Sequence, residues 1–430
     1  MNRFLIMTVT CSCLKFRYIF LLLMVPSLIF GQKTLVLQDK IYESQIRSVQ
    51  CYPNQAAETT QLLPAVARMD NQNLILEFDD LREERNTYYA RLIHCNADWS
   101  GSTLMDLDFL HDYNETTIND YSFSINTHIP YVHYRFLIPS VKIPGNYVLM
   151  VYRDGNRKDL ILTRRFMIFD GRISLSTDDN LAGLGNLRST NQSLNFRLDY
   201  GATEIINPVS NIHVTIRQNQ RWDNAKEDVK PSFVREDVGQ LEYRFFDLDK
   251  TFQGGNEFRF VDFRSMNYPG INTFRLDKGH KPYELTVNMD YPRLGQAYSQ
   301  YPDMNGGFTP DNKDYPQEPW ISAQYLYVTF GLKSAPYKGD VYLIGAFNGF
   351  AMTDDNKMQF ENGLYTKRLL LKQGFYNYTY WTTPPEPDGN QVEGNYFQTE
   401  NLYEVLVYYR AFQPNADLLI GYFVIPVNPR

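Results

Sequence analysis

Residues 132–169 read VHYRFLIPSVKIPGNYVLMVYRDGNRKDLILTRRFMIF. Val132, Tyr134, Phe136 and Ile138 alternate with polar neighbours that include His133 and Arg135. Tyr147, Leu149 and Val151 form a second alternating set, and Asp154-Gly155 turns the chain toward Leu160-Ile161-Leu162 and Phe166-Met167-Ile168-Phe169. A period of two puts every second side chain on one face of a strand. Asp-Gly between two such runs signals an antiparallel hairpin, because both positions tolerate a positive φ. Pro144-Gly145 marks the turn before it. The stretch therefore predicts a β-sandwich, and the same period at Leu74, Leu76 and Phe78 extends it over residues 32–170. Asp79 through Asn86, rich in charge, is expected to be a solvated connection between two of its strands.

Strand periodicity continues downstream. Residues 171–290 carry Leu194, Phe196, Leu198 and Tyr200, then Ile212, Val214 and Ile216, then Leu241, Tyr243 and Phe245, then Phe258 and Phe260, then Leu285 and Val287, a second sandwich with longer loops. Residues 291–320 differ in kind, holding five prolines and three glycines among scattered aromatics, and are expected to be a connecting strap that continues no sheet. Residues 321–430 resume the strand pattern in Val341-Tyr342-Leu343-Ile344, Phe375 to Trp381, Tyr403 to Tyr409 and Leu418-Leu419-Ile420. No long amphipathic helix is visible after residue 31. The fold class is all-β, with tandem antiparallel sandwiches.

Residues 1–31 carry Arg3, Lys15 and Arg17, no acid, an apolar run from Tyr18 to Phe30, and Gly31 before Gln32. That order describes a secretory signal peptide, with a single membrane anchor as the alternative. Cys11 and Cys13 precede the apolar run, which is the wrong side for lipidation. Removing the signal leaves Cys51 and Cys95, which either pair in an oxidising compartment or remain two buried thiols. It also leaves 39 basic residues of 42 against 49 acidic ones. A net charge of about −10 argues against nucleic acid and anionic lipid as partners. Aromatic residues make up 15% of the chain, 32 of them Tyr, a ring suited to half-buried strand faces and interfaces.

Catalytic signatures are sparse. The histidines, His94, His111, His128, His133, His213 and His280, form no metal-ligand spacing. There is no nucleophile elbow and no phosphate loop. The carboxylate pairs Asp106/Asp108, Asp178/Asp179, Asp247/Asp249 and Asp354/Asp355 read as solvated turn residues, although a glycosidase needs only two carboxylates. No catalytic, cofactor or metal residue is assigned. Aromatics offer the better candidates: Trp99 at a strand end, Trp222 in a polar loop, and Tyr298, Tyr301, Phe308 and Trp320 in the strap. Each is either core packing or a contact for a partner.

Two resemblances add to this reading. Val341 to Phe350, Gly363-Leu364-Tyr365 and Gly374 to Tyr378 resemble the early-set, immunoglobulin-like sandwich of glycogen-binding modules. They depart from it at Phe350, where that family carries Trp, and at Tyr378-Thr379-Tyr380, where it carries Lys. The likeness implies the sandwich and makes a carbohydrate-binding envelope protein the alternative function. Across the whole length, Ile41-Tyr42, Ile46 to Val49, Tyr88 to Trp99, Pro144 to Tyr147, Gly345 to Asn348 and Leu419 to Tyr422 resemble the type IX secretion system plug proteins of Bacteroidota. The run His94-Cys95-Asn96-Ala97-Asp98-Trp99 is the most specific. This resemblance implies a non-enzymatic periplasmic protein, monomeric on its own and not inserted in the membrane. It would seal the periplasmic mouth of a large outer-membrane β-barrel translocon when the channel is idle.

Overall fold

Strand periodicity is realised almost throughout a computed structural model that describes residues 33–55, 60–177, 189–201, 203–245, 251–383 and 391–429. Residues 1–31, read above as a signal peptide, and the pairs Asp178/Asp179 and Asp247/Asp249 lie outside the described residues. Helix among the described residues comes in single turns such as Asp106–Phe109, Pro208–Asn211 and Pro319–Ser322. No described helix is long and apolar enough to cross a membrane.

The first sandwich faces two sheets. One orders Ile46–Pro53, Leu74–Asp80, Val132–Leu137 and Asp120–Phe123. The other orders Lys40–Ile41, Leu160–Phe169, Gly145–Arg153, Tyr88–Cys95 and Thr116–Ile118, with Val66–Arg68 added in parallel. The hairpin expected at Asp154-Gly155 is present, both residues having positive φ, 51° and 69°. Tyr147, Leu149 and Val151 point into the core between the sheets. Val148, Met150 and Tyr152, on the opposite face of the same strand, are buried as well. Val148 and Met167 meet Leu406, Tyr408 and Leu419 of the chain's last hairpin, so a second unit covers this end of the outer face, while Met150 and Tyr152 pack with Leu160, Tyr42 and Tyr89 of the same sandwich.

That hairpin, Asn401–Arg410 and Asp417–Val427, pairs with Ile212–Gln218 from Ile212↔Tyr409 to Gln218↔Tyr403. It closes the middle sandwich, whose opposite sheet is Ser174–Thr177, Phe196–Asp199, Gln240–Tyr243 and Phe233–Arg235. Conversely, Arg259–Asp262 pairs with Gly374–Thr383, and Glu284–Val287 runs parallel to Tyr325–Lys333. The third core therefore draws Val261, Leu285 and Val287 together with Leu326, Leu343 and Tyr380. The cores do not follow a linear division at 290 and 320. Three strands before residue 290 belong with residues 308–383, and the chain returns to the middle unit for its last two strands. The driving force is burial of both faces of the final hairpin: Tyr403, Val405 and Val407 face the middle core, and Leu406 and Tyr408 face the first sandwich.

Two further expectations are corrected. The strap does contribute to a sheet, because Phe308–Pro310 pairs with the start of Gly374–Thr383. Its proline lies on an outer strand of that sheet, where a missing N–H is tolerated. Asp79 and Asp80 are not in a solvated loop. They end the strand Leu74–Asp80 and are fully buried.

Candidate functional site

Of the six aromatic candidates, Trp99, Trp222 and Trp320 fall on seams that join the sandwiches, and these seams define the candidate site. The turn after the strand Tyr88–Cys95 is closed by Asn96 N–H to Ser100 O at 2.8 Å and Trp99 N–H to Asn96 O at 3.0 Å. Trp99 takes a positive φ of 63°, and its ring is buried. It meets the Trp222 ring edge-on at 5.1 Å and 86°. The Arg165 guanidinium lies 4.3 Å from the Trp99 centroid and 5.2 Å from that of Trp222. Arg217 covers Trp222 at 4.6 Å and binds Glu404, with Nε 2.6 Å from Oε2, and the Tyr422 hydroxyl donates to the same carboxylate at 2.6 Å. A cation over an indole face is worth about 0.5–1 kcal/mol when exposed and about 2 kcal/mol when desolvated.

The turn's backbone is clamped across the same seam. Ala97 N–H donates to Asp417 Oδ2 at 2.9 Å, Arg410 donates to Asn96 Oδ1 at 3.0 Å, and the Tyr408 hydroxyl donates to Asn146 Oδ1 at 2.9 Å. His94, one strand residue earlier, is buried against Gly145, where an added Cβ would stand 2.6 Å from its Nε2. Burial lowers its pKa to about 4, with Asp417 opposing, so the ring is neutral at pH 7. The Asn96 to Trp99 run thus works as the first sandwich's half of a joint.

A second seam joins the first sandwich to the third. Asp79 Oδ2 accepts from Lys372 Nζ at 2.6 Å and from the Tyr325 hydroxyl at 2.7 Å, while His133 Nδ1 lies 2.7 Å from Asp79 Oδ1. Lys372 also donates to Trp320 O at 2.7 Å and stands 4.3 Å over the Tyr131 ring. Burial disfavours the Asp79 carboxylate, but Lys372 and His133 overcome it and hold its pKa below the usual range. For His133, burial is outweighed by its bonds to Asp79 and Glu77, and its pKa is raised. Burial lowers that of Lys372, partly offset by Asp79. Backbone bonds extend the seam, with Ile125 N–H to Ile321 O at 2.9 Å. Sequence reasoning missed this cluster. Its one available signal was Glu77 and Asp79 keeping step with Leu76 and Phe78 in a strand pattern.

The strap residues pack in the same manner. Phe308 is buried and stacks on Tyr376 at 5.4 Å. The Tyr298 hydroxyl donates to Glu257 and, at 3.1 Å, to Gln398 O. Tyr301 is bonded to Arg293, which pairs with the buried Glu393 at 2.6 Å. The Trp320 ring is half exposed at the rim of the Asp79 seam, with its carbonyl held inside. Cys51 and Cys95 are free and buried in different sheets, so the pairing alternative is not realised. Among the described residues, no group of three or more His, Cys, Asp or Glu is placed to hold a metal ion.

The Asn96 to Trp99 half of that seam lies in a recognisable domain. Residues 46–170 match the family model described as type 9 secretion system plug protein 1st domain. The resemblance carried by Tyr88 to Trp99 lies inside that plug-domain match and is borne out by it. The remaining units find their likeness in a solved structure, that of a hypothetical protein from Parabacteroides merdae. It superposes with a TM-score of 0.83 at 29% identity, covering 91% of this chain and 100% of that one. A structure of manganese lipoxygenase of Gaeumannomyces graminis with zonadhesin of Komagataella pastoris reaches a TM-score of only 0.14 at 8% identity and supports no comparison. No curated protein matches the chain.

Proposed function

We propose that this chain is a non-enzymatic periplasmic plug, which binds the periplasmic opening of the type IX outer-membrane translocon and seals it when the channel is idle. The plug-domain match over residues 46–170 carries the reading. A stopper must resist deformation, and the buried seams at Trp99/Trp222 and Asp79/Lys372 support three sandwiches acting as one body. An acidic chain suits a basic rim on the channel. Deleting the gene in a strain that still makes the translocon is expected to raise envelope permeability to large solutes. A mild-detergent pull-down is expected to recover a very large β-barrel in near-equal amount. Unchanged permeability together with recovery of the chain alone would overturn the reading.

The carbohydrate alternative is not favoured by the site it would use. Phe350, where glycogen-binding modules carry Trp, is 7% exposed and lies beneath the Arg221 guanidinium at 4.7 Å.

A further inference from the structure

At the edge of the first sandwich the strand Thr116–Ile118 stops opposite Ala90, leaving the next strand residues without a neighbour on that side. Asn114 replaces the missing strand. Its side-chain Oδ1 accepts from Leu92 N–H at 2.9 Å, and its Nδ2 donates to Leu92 O at 2.8 Å. A side chain completes the ladder but does not fill the space a strand would fill. A cavity of about 300 Å³ opens there, floored by Ala90, Leu92, Phe136 and Leu149 from both sheets. Its mouth is made by Arg91, His111, Asp112 and Tyr113. His111 and Ser140 also line an open trough of about 550 Å³, which runs on past Met69, Gln72 and Lys142.

The surface beside the mouth is unusually apolar for one that faces water. Met105 and Leu107, on the adjoining turn, are 76% and 74% exposed, and Tyr113 at the mouth itself is 75% exposed. They are held in place: Asp106, between the first two, binds Arg91 at 2.6 Å and Asn114 at 2.8 Å, and Lys142 donates to Leu107 O at 3.0 Å. Arg91 is thereby neutralised; Asp112 at the mouth and Asp108 on the adjoining turn are exposed carboxylates, and Lys142 is an exposed cation on the trough.

We propose that this cavity and trough form a peptide-binding site, taking an extended segment of a partner protein that inserts one aromatic or large aliphatic side chain and flanks it with Lys or Arg. Three features select that occupant. The cavity has an apolar floor and lies at the small end of ligand sites, which span about 300–1,000 Å³, so it takes a single anchor group. A small molecule filling the socket would leave Tyr113 and the adjoining Met105 and Leu107 in water, whereas a chain entering over the Leu107 turn, which Lys142 ties to the trough, covers them. Asp112 at the mouth and the nearby Asp108 favour a basic flank beside the anchor, with Lys142 set farther along the trough. The inference stands independently of whether the chain occludes a pore.

The test is selection of a displayed random twelve-residue peptide library on the full chain, with enriched peptides then measured by fluorescence anisotropy. The expected winners carry Phe, Trp, Leu or Met beside Lys or Arg. They are expected to bind at least tenfold more weakly after Ala90→Leu, which fills the socket, and after Leu107→Ser with Tyr113→Ser, surface changes that spare the core. Far-ultraviolet circular dichroism establishes that each variant is folded. Peptides without an anchor or basic flank would overturn the proposal. So would peptides that bind the rim variant as well as the parent. Saturable binding of the uncharged fluorophore N-phenyl-1-naphthylamine with no enriched peptide would overturn it in favour of a small apolar ligand.

Discussion

Lys372 Nζ lies 2.6 Å from Asp79 Oδ2, across 293 positions of sequence, and neither side chain is more than 2% exposed. A buried ion pair adds little net stability over an apolar pair of the same shape, yet breaking it strands a charge. What it supplies is a defined register between the first and third sandwiches, since Asp79 also takes the Tyr325 hydroxyl and the His133 ring.

Lys372→Met should therefore destabilise the chain by about 3–5 kcal/mol, the scale for an orphaned buried charge. Adding Asp79→Asn should recover part of that loss. A urea-denaturation double-mutant cycle reads the coupling. A single-variant loss below about 1 kcal/mol would show that the pair does not hold this seam.

The Trp99 ring fills the joint between the first and middle units against Trp222 and beneath Arg165. Trp99→Ala should lower stability by about 3–5 kcal/mol, as expected for a buried indole. Trp222→Ala, at a half-buried ring, should have a smaller effect. Comparison of the two urea midpoints checks the order, and the reverse order would place the anchor on the wrong ring.

Acid and alkali should weaken the Asp79 seam from opposite sides. Burial opposes ionisation of Glu77, but His133, Tyr52 and Arg135 lower its pKa from 4.5 to about 2. Its contribution, about 3 kcal/mol, is complete above pH 4.5 and lost as pH falls toward 2. The pKa of His133 is raised, so its contribution is complete below 6.5 and lost as pH rises through the folded value. Unfolding free energies measured against pH should flatten on the acid side in Glu77→Gln and on the alkaline side in His133→Gln. Unaltered slopes in both variants would remove the cluster as the source of the pH dependence.

Burial pushes the Cys51 and Cys95 thiols up to about 12, far from the range in which a thiolate reacts. In the chain from residue 32 onward, a thiol reagent at pH 8 should modify neither cysteine until denaturant is added, and then both. Rapid modification of the native chain would contradict their place in the sheets.

Strands such as Leu74–Asp80, Val132–Leu137 and Gly145–Arg153 were legible because alternation and turn chemistry act over a few residues. Asp154-Gly155 names its own turn, and Tyr88 to Trp99 carried the family likeness through to the matched domain. The role of Asp79 was not legible. A charged run after a strand looks the same whether it meets water or a lysine 293 positions away.

The same limit governs the larger architecture. Hydrophobic period alone made this an all-β chain of sandwiches, because each strand's pattern is a local consequence of where its side chains point. Which strands share a core was decided only on folding. Asn401–Arg410 reads as one more strand after its neighbours, and nothing in it names Ile212–Gln218 as its partner. That choice rests on burying both faces of the last hairpin at once, one in the middle core and one against Val148 and Met167, and such a fit exists only between surfaces already formed.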